Sequence, residues 1–180
     1  MSRKTTRKAT GFTLIEVVVT VSVMSTLLAV GLPAFAGLLQ NQRTSVALAS
    51  LVSQMSHARL AAVKHRRPTI LCPSTSGTQC DGGSDWAGGW IVFVERGDRT
   101  RPSRPSDLLQ VESVPVSRHL RIASTSGRSF LRYLPDGRSA GSNLTIVVCT
   151  REGERLGAVV VNNAGRPRVE RGSTGAPCPP

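Results

Sequence analysis

Residues 11–39 read GFTLIEVVVTVSVMSTLLAVGLPAFAGLL, a long apolar run with a single carboxylate, Glu16, near its start. From Val17 to Leu39 there are 23 consecutive residues without a formal charge, and a membrane-spanning helix needs about 20. A carboxylate at the edge of such a run costs about 2.5–3.5 kcal/mol on translocon-based scales. No positive charge inside the run offsets it. The partner of Glu16 is therefore expected to be a chain terminus or another subunit.

Upstream, Arg3, Lys4, Arg7 and Lys8 form a basic segment with no acid. Together with the apolar run this has the outline of a secretory signal. However, the run exceeds the usual 7–15 residues and no small-x-small cleavage site follows it. At 180 residues the chain accommodates one domain beside this element. Its formal charge is +12, and about +8 remains without the first ten residues. That balance favours polyanions or anionic membrane surfaces, against a basic surface with no partner at all.

Cys72, Cys80, Cys149 and Cys178 all follow the apolar run, and none forms a CxxC pair, which argues against zinc or thioredoxin-like chemistry. An even count in an exported region suggests two disulfides, with three possible connectivities. Cys72–Cys80 with Cys149–Cys178 is favoured, and the chain-entropy argument assigns such loops roughly 2.6 and 3.6 kcal/mol. Four free, buried thiols are the alternative.

GFTLIE resembles the type III signal of type IV pilins and pseudopilins. The resemblance implies cleavage by a prepilin peptidase after Gly11 and methylation of the new N-terminus, Phe12. It also gives Glu16 its partner, the Phe12 ammonium of a neighbouring subunit in the filament core. Two charges that are each costly in hydrocarbon would there neutralise one another. Pro33 matches the family position at which this helix bends or melts locally.

Beyond Asn41 the sequence turns polar, yet Leu48, Leu51, Val52, Met55, Ala58 and Ala62 recur at helical spacing, with Arg43, Gln54 and Arg59 read as lying off that stripe. His57 borders it as a rim residue. Lys64, His65, Arg66 and Arg67 suit a helix C-terminus, and Pro68 ends it. A helix from Phe12 to about Arg67 would span roughly 84 Å. Strands are expected at 69–72, 89–95, 108–116, 120–123, 129–134, 144–150 and 156–162, separated by turn chemistry such as PDGR at 135–138. The expected fold class is α+β and pilin-like: a long hydrophobic N-terminal α-helix on an antiparallel domain of two small sheets. The expected division is a leader at 1–11, a transmembrane and filament-core helix at 12–39, and a globular domain at 40–180. Within that domain the helix runs over 40–67 and the β region over 68–180.

WAGGWIVFVE, FLRYLPDGRS, IVVCTREG and VVVNNAGRPRV together resemble the FimT/GspH minor pilins, in the same order along the chain. Trp86 and Trp90 are then core and turn anchors. Where many relatives carry an Asp/Asn/Gly-rich turn, this chain reads ERGDRTRPSRPSD, whose arginines replace the oxygen ligands calcium needs. That loop is expected to add positive charge to the surface.

His57, His65 and His119 are scattered, and no GxSxG, HExxH or phosphate-cradling loop occurs. Neither an enzyme nor a cofactor or metal site is expected. The segment best suited to binding is NNAGRPRVERG. Arg166 and Arg168 would project to one side of an extended segment, roughly 6.6 Å apart. Pro167 consigns that segment to a sheet edge or outside the sheet, and Arg171 would extend the patch, partly offset by Glu170. The alternative is a solvated terminal turn. FimT members active in natural transformation bind DNA through a C-terminal GRxR motif, which Gly165, Arg166 and Arg168 match. A Cys149–Cys178 bridge would close the loop around it.

The resemblance implies other pilins, prepilin peptidase, the inner membrane and DNA as partners. It places the chain in the bacterial inner membrane with a periplasmic domain, and at the cell surface after assembly. A structural minor pilin for pilus biogenesis, or an H-type pseudopilin of type II secretion, is the competing reading. The GRxR motif and the basic excess discriminate in favour of the first.

Overall fold

The computed structural model describes residues 13–113, 119–139, 141, 144–172 and 178. Helix α1 runs from Leu14 to His65, continuous through position 33. The chain divides into two compact units after Asn41, and α1 contributes to both.

Within the first unit the helix is apolar all round, with Val17, Val18, Val21 and Leu28 among its exposed side chains. Its most apolar window has a mean hydropathy of 2.1 with none of it buried, so it is long and apolar enough to cross a membrane. Four hydroxyls fall in this stretch without leaving polar groups unpaired. Thr20 donates to the Val17 carbonyl, Ser22 to Val18, Ser25 to Val21 and Thr26 to Ser22, at 2.8–2.9 Å. Thr13 caps the helix, its Oγ1 accepting the Glu16 N–H at 3.4 Å. Glu16 is the acid of the first turn, where the helix dipole favours negative charge.

In the second unit, Ala47, Leu48, Leu51, Met55, Ala58 and Ala62 form the buried face of α1, with Val52 partly buried beside it. Gln54 departs from the sequence reading: it is buried, and its Oε1 has no partner among the described residues. The reason is angular. Positions 47, 51, 54 and 58 advance by alternating four and three and so share one face. The helix ends with Arg66 in a left-handed conformation, φ 51°. Arg66 N–H donates to the Val63 carbonyl and Arg67 N–H to that of Ala62, the paired closure of a Schellman motif.

Among the described residues eight strands follow: β1 Thr69–Pro73, β2 Trp90–Val94, β3 Leu108–Glu112, β4 Leu120–Ser124, β5 Leu131–Tyr133, β6 Leu144–Thr150, β7 Arg155–Val161 and β8 Pro167–Arg171. They form two antiparallel four-stranded sheets, ordered β3-β2-β1-β5 and β4-β6-β7-β8. The far end of the segment expected at 108–116 lies outside the described residues. β8 was absent from the expected strands, although its place at a sheet edge agrees with the reading of Pro167.

One core joins the helix to both sheets. Leu51 and Met55 share a cluster with Leu71, Val92 and Tyr133 of the first sheet, and with Ile146 and Val159 of the second. Trp86 and Trp90 are buried in the same cluster. The outer face of the first sheet is also covered, where Ile70, Cys72, Ile91 and Phe93 pack with Cys80 and Phe130. Both faces of β1 and β2 are therefore buried, which explains their unbroken apolar sequences. Gly89 sits at φ 114°, where a Cβ would collide with the Glu112 carbonyl oxygen, so WAGGW requires glycine there.

Two disulfides are present, Cys72–Cys80 and Cys149–Cys178, with Cα separations of 5.6 and 6.4 Å. Cys178 packs with Val147, Cys149 and Ala158 on the outer face of the second sheet.

Candidate nucleic-acid interface

The turn between β7 and β8 is built by its own backbone and by a second turn. Gly165 N–H donates to the Asn162 carbonyl at 2.8 Å. Ser139, at the end of the PDGR turn that follows β5, reaches across: its N–H meets the Asn163 carbonyl at 3.2 Å and its hydroxyl the Asn162 carbonyl at 2.8 Å. Gly165 is buried at φ 73°. A Cβ there would collide with the Gly137 carbonyl oxygen and crowd the Tyr133 ring at 3.1 Å. Packing of the two turns thus requires the glycine of GRxR.

The chain then leaves the turn through Arg166, which is exposed and has no carboxylate partner among the described residues. Pro167 opens β8 opposite Val161, a tolerated position because the first residue of an edge strand need not donate to the ladder. Arg168 is 72% exposed, and its guanidinium lies 3.1 Å from Glu170 Oε1. The other oxygen of Glu170 takes Arg155 at 3.3 Å, whose side chain is only 11% exposed. Glu170 therefore divides its charge between a mostly buried and an exposed arginine. Arg171 is three positions from Arg168 in the same strand and lies on the opposite face. The structure therefore groups Arg168 with Glu170 and Arg155, and separates Arg171 from them.

The loop at 95–107 is less basic than its sequence suggested. Arg96 bonds the buried Asp107 at 2.6 Å, Arg99 bonds the buried Glu95 at 3.1 Å, and Arg101 bonds Asp98 at 3.2 Å. Arg132 of β5 shares Glu95 as well. Three of the four arginines in this loop pair with nearby carboxylates, so the positive charge it adds to the surface is smaller than the arginine count suggests. The carboxyl of Asp98 is held below its ordinary range, first by the Thr100 hydroxyl and then by the Thr100 N–H. Asp136, in the PDGR turn, is lowered first by the backbone N–H of Arg138 and next by its guanidinium.

Gly11 and Phe12 lie outside the described residues. The Glu16 side chain is exposed and has no cationic partner among the described residues. No group of three or more metal-type side chains gathers among the described residues. Two relationships escaped the sequence reading: the seating of Gly165 on Gly137, and the Thr13–Glu16 cap. The cap was available as a T-x-x-E pattern. The seating had no local signal beyond the two turns themselves.

The family model of the type II transport protein GspH matches residues 47–165, and that of the prokaryotic N-terminal methylation motif matches residues 6–32. The GspH match ends at the glycine of GRxR, so Arg166 and Arg168 stand just beyond it. Comparison with curated proteins gives no match. The fold is similar to that of the type IV minor pilin FimU of Pseudomonas aeruginosa. One crystal form is 17% identical, with 77% of this chain and 93% of that chain covered at a TM-score of 0.55. A second form is 18% identical, with coverages of 73% and 94% and a TM-score of 0.52. The solution structure of Escherichia coli GspH is 15% identical, with coverages of 73% and 90% and a TM-score of 0.51. A capped apolar helix bearing a methylation motif, continued into a two-sheet domain of this design, is the architecture of a non-enzymatic pilus or pseudopilus subunit, and the chain belongs to the GspH family of minor pilins and pseudopilins.

Proposed function

We propose that this minor pilin enters a type IV pilus and binds DNA through its C-terminal GRxR segment, in DNA uptake for natural transformation. The observation that carries this reading is the delivery of Arg166 and Arg168 to the exposed start of an edge strand, from a turn pinned by Gly165. Planar guanidinium forks on a fixed backbone suit phosphate oxygens, and contacts to phosphate alone carry no sequence preference. The arginine-rich loop, largely neutralised by its own acids, competes poorly for the same role. Arg171, on the other face of β8, contributes through its field and not as a neighbouring contact. Before assembly the chain sits in the inner membrane, with its β domain in the periplasm. The leader is removed after Gly11, and Glu16 pairs with the Phe12 ammonium of an adjacent subunit.

The deciding experiment titrates labelled duplex DNA against the detergent-solubilised chain, with Arg166→Gln and Arg168→Gln compared at several salt concentrations. Each lost phosphate contact lowers the slope of log K against log salt by about 0.9. Equal weakening for all duplex sequences is expected. A wild-type chain with no salt-sensitive binding returns the protein to a purely structural role, in pilus biogenesis or in a type II secretion pseudopilus. The Arg168–Glu170 pair favours that second reading, because it already satisfies one of the two arginines.

A further inference from the structure

We propose that Arg138, in the turn after β5, is a further phosphate contact of the same interface, so that DNA lies across two turns and not along one. The inference rests on the DNA-binding reading of the GRxR segment. Its basis is the way the two turns are fastened. Gly137 offers the carbonyl oxygen against which Gly165 packs, and Ser139 bonds to Asn162 and Asn163. Arg138 stands between these two attachment points. Its backbone is therefore fixed relative to the turn that delivers Arg166.

An open groove of about 720 Å³ lies beside this junction, lined by Arg132, Arg138, Ser139, Gly141, Asn163 and Ala164 among others. Its two arginines differ in what they can release. Arg132 is 21% exposed and bonds the buried Glu95, which also serves Arg99. Withdrawing it would leave a buried carboxylate short of a partner. Arg138 is 69% exposed, and its partner Asp136 is itself 47% exposed, two residues away at 2.6 Å. An exposed pair of this kind contributes little to stability, so a phosphate can replace the Asp136 carboxylate at little cost. The rim of the groove thus carries one exchangeable guanidinium, positioned by backbone contacts to the GRxR turn.

Asp136 is the natural brake on such a contact. It occupies Arg138 in the free protein and repels an approaching phosphate. Removing its charge should help binding, whereas removing that of Arg138 should hinder it.

The test measures anisotropy of a labelled, mixed-sequence duplex with the full chain in detergent, from about 50 to about 200 mM salt. Arg138→Gln should make the salt slope shallower by about 0.9, so that its deficit against wild type shrinks about 3.5-fold across that range. Asp136→Asn should raise affinity at the low-salt end. Arg101→Gln is the matched control: Arg101 is 68% exposed, pairs with an exposed aspartate as Arg138 does, and does not line the groove. An equal loss in Arg101→Gln would reduce the effect to net charge and overturn the assignment. A wild-type slope in Arg138→Gln, with a shallower one in Arg166→Gln, would overturn the groove contact and leave the GRxR reading intact. A shallower slope in Arg138→Gln alone, with Arg166→Gln and Arg168→Gln at the wild-type slope, would overturn the GRxR reading and the two-turn interface with it.

Discussion

Gly165 packs against the carbonyl oxygen of Gly137, so closely that no side chain fits between the two turns. Both residues have positive φ, 73° and 78°. The far side of Gly137 rests on Arg59 of α1, whose Nε would meet a Cβ there at 3.0 Å. Helix, β5 turn and β7–β8 turn are therefore stacked in that order, and the arginines of the last turn inherit their position from the first.

Gly165→Ala should destabilise the domain by at least about 2 kcal/mol. A left-handed conformation costs a non-glycine residue about 1–2 kcal/mol, and displacement of the Gly137 carbonyl adds to it. Urea denaturation followed by tryptophan fluorescence reads this directly, since Trp86 and Trp90 are both buried. DNA affinity should fall as well, with all arginines still present. Unchanged stability would mean that the two turns are not packed as described.

Glu170→Gln should strengthen DNA binding and weaken the fold slightly. Arg168 loses the carboxylate that competes with phosphate, while the mostly buried Arg155 loses its charge partner. A severalfold gain in affinity at low salt, fading as salt rises, is expected. Unaltered binding would show that Arg168 contributes no contact.

Arg66→Gly should raise stability by about 0.5–1 kcal/mol. Arg66 is the non-glycine residue with positive φ among the described residues, at 51°, in a position that helix termini ordinarily give to glycine. The relief of the left-handed penalty exceeds the extra entropy glycine gains in the unfolded chain. A shift in urea midpoint without a change in m-value is the expected signature.

Alkaline conditions should destabilise the protein through its single tyrosine. Burial pushes the Tyr133 phenol well above its ordinary value, with the charge of Arg59 opposing the shift. In the unfolded chain it ionises near pH 10. Stability is therefore fully present below about pH 10 and falls as pH rises towards the folded value, by roughly 1.4 kcal/mol per pH unit. Tyr133→Phe should remove that dependence. Because the chain has one tyrosine, phenolate absorbance during unfolding reports on it alone.

The sequence discloses some of these features better than others, for physical reasons. The capped apolar helix and the stripe of Leu48, Leu51 and Met55 depend on local periodicity, so they are readable without a fold. The two-sheet arrangement follows from short links between apolar runs, which allow only antiparallel returns. β8 was harder because three of its five residues are charged and its first is proline, and only pairing with β7 makes it a strand. The arginine loop misled because its neutralisation is tertiary. Asp107 reaches Arg96 across 11 residues through the short 3-10 turn Pro105–Asp107. The polarity of Gln54 points away from the core, whereas its angular position on the helix puts it there.

The Cys149–Cys178 bridge has a mechanical meaning. Among the described strands β8 is bonded to one neighbour, β7, so a pull on the chain at Arg166 loads an edge strand that can peel away one hydrogen bond at a time. The bridge joins β6 to a point beyond β8, with the pulled residue inside the 29-residue span it closes. Peeling can lengthen that loop only until the covalent ring draws taut. From there tension divides between the backbone of β7 and the bridge, and both paths end on β6, so a load at Arg166 is held after β8 itself has lost its pairing.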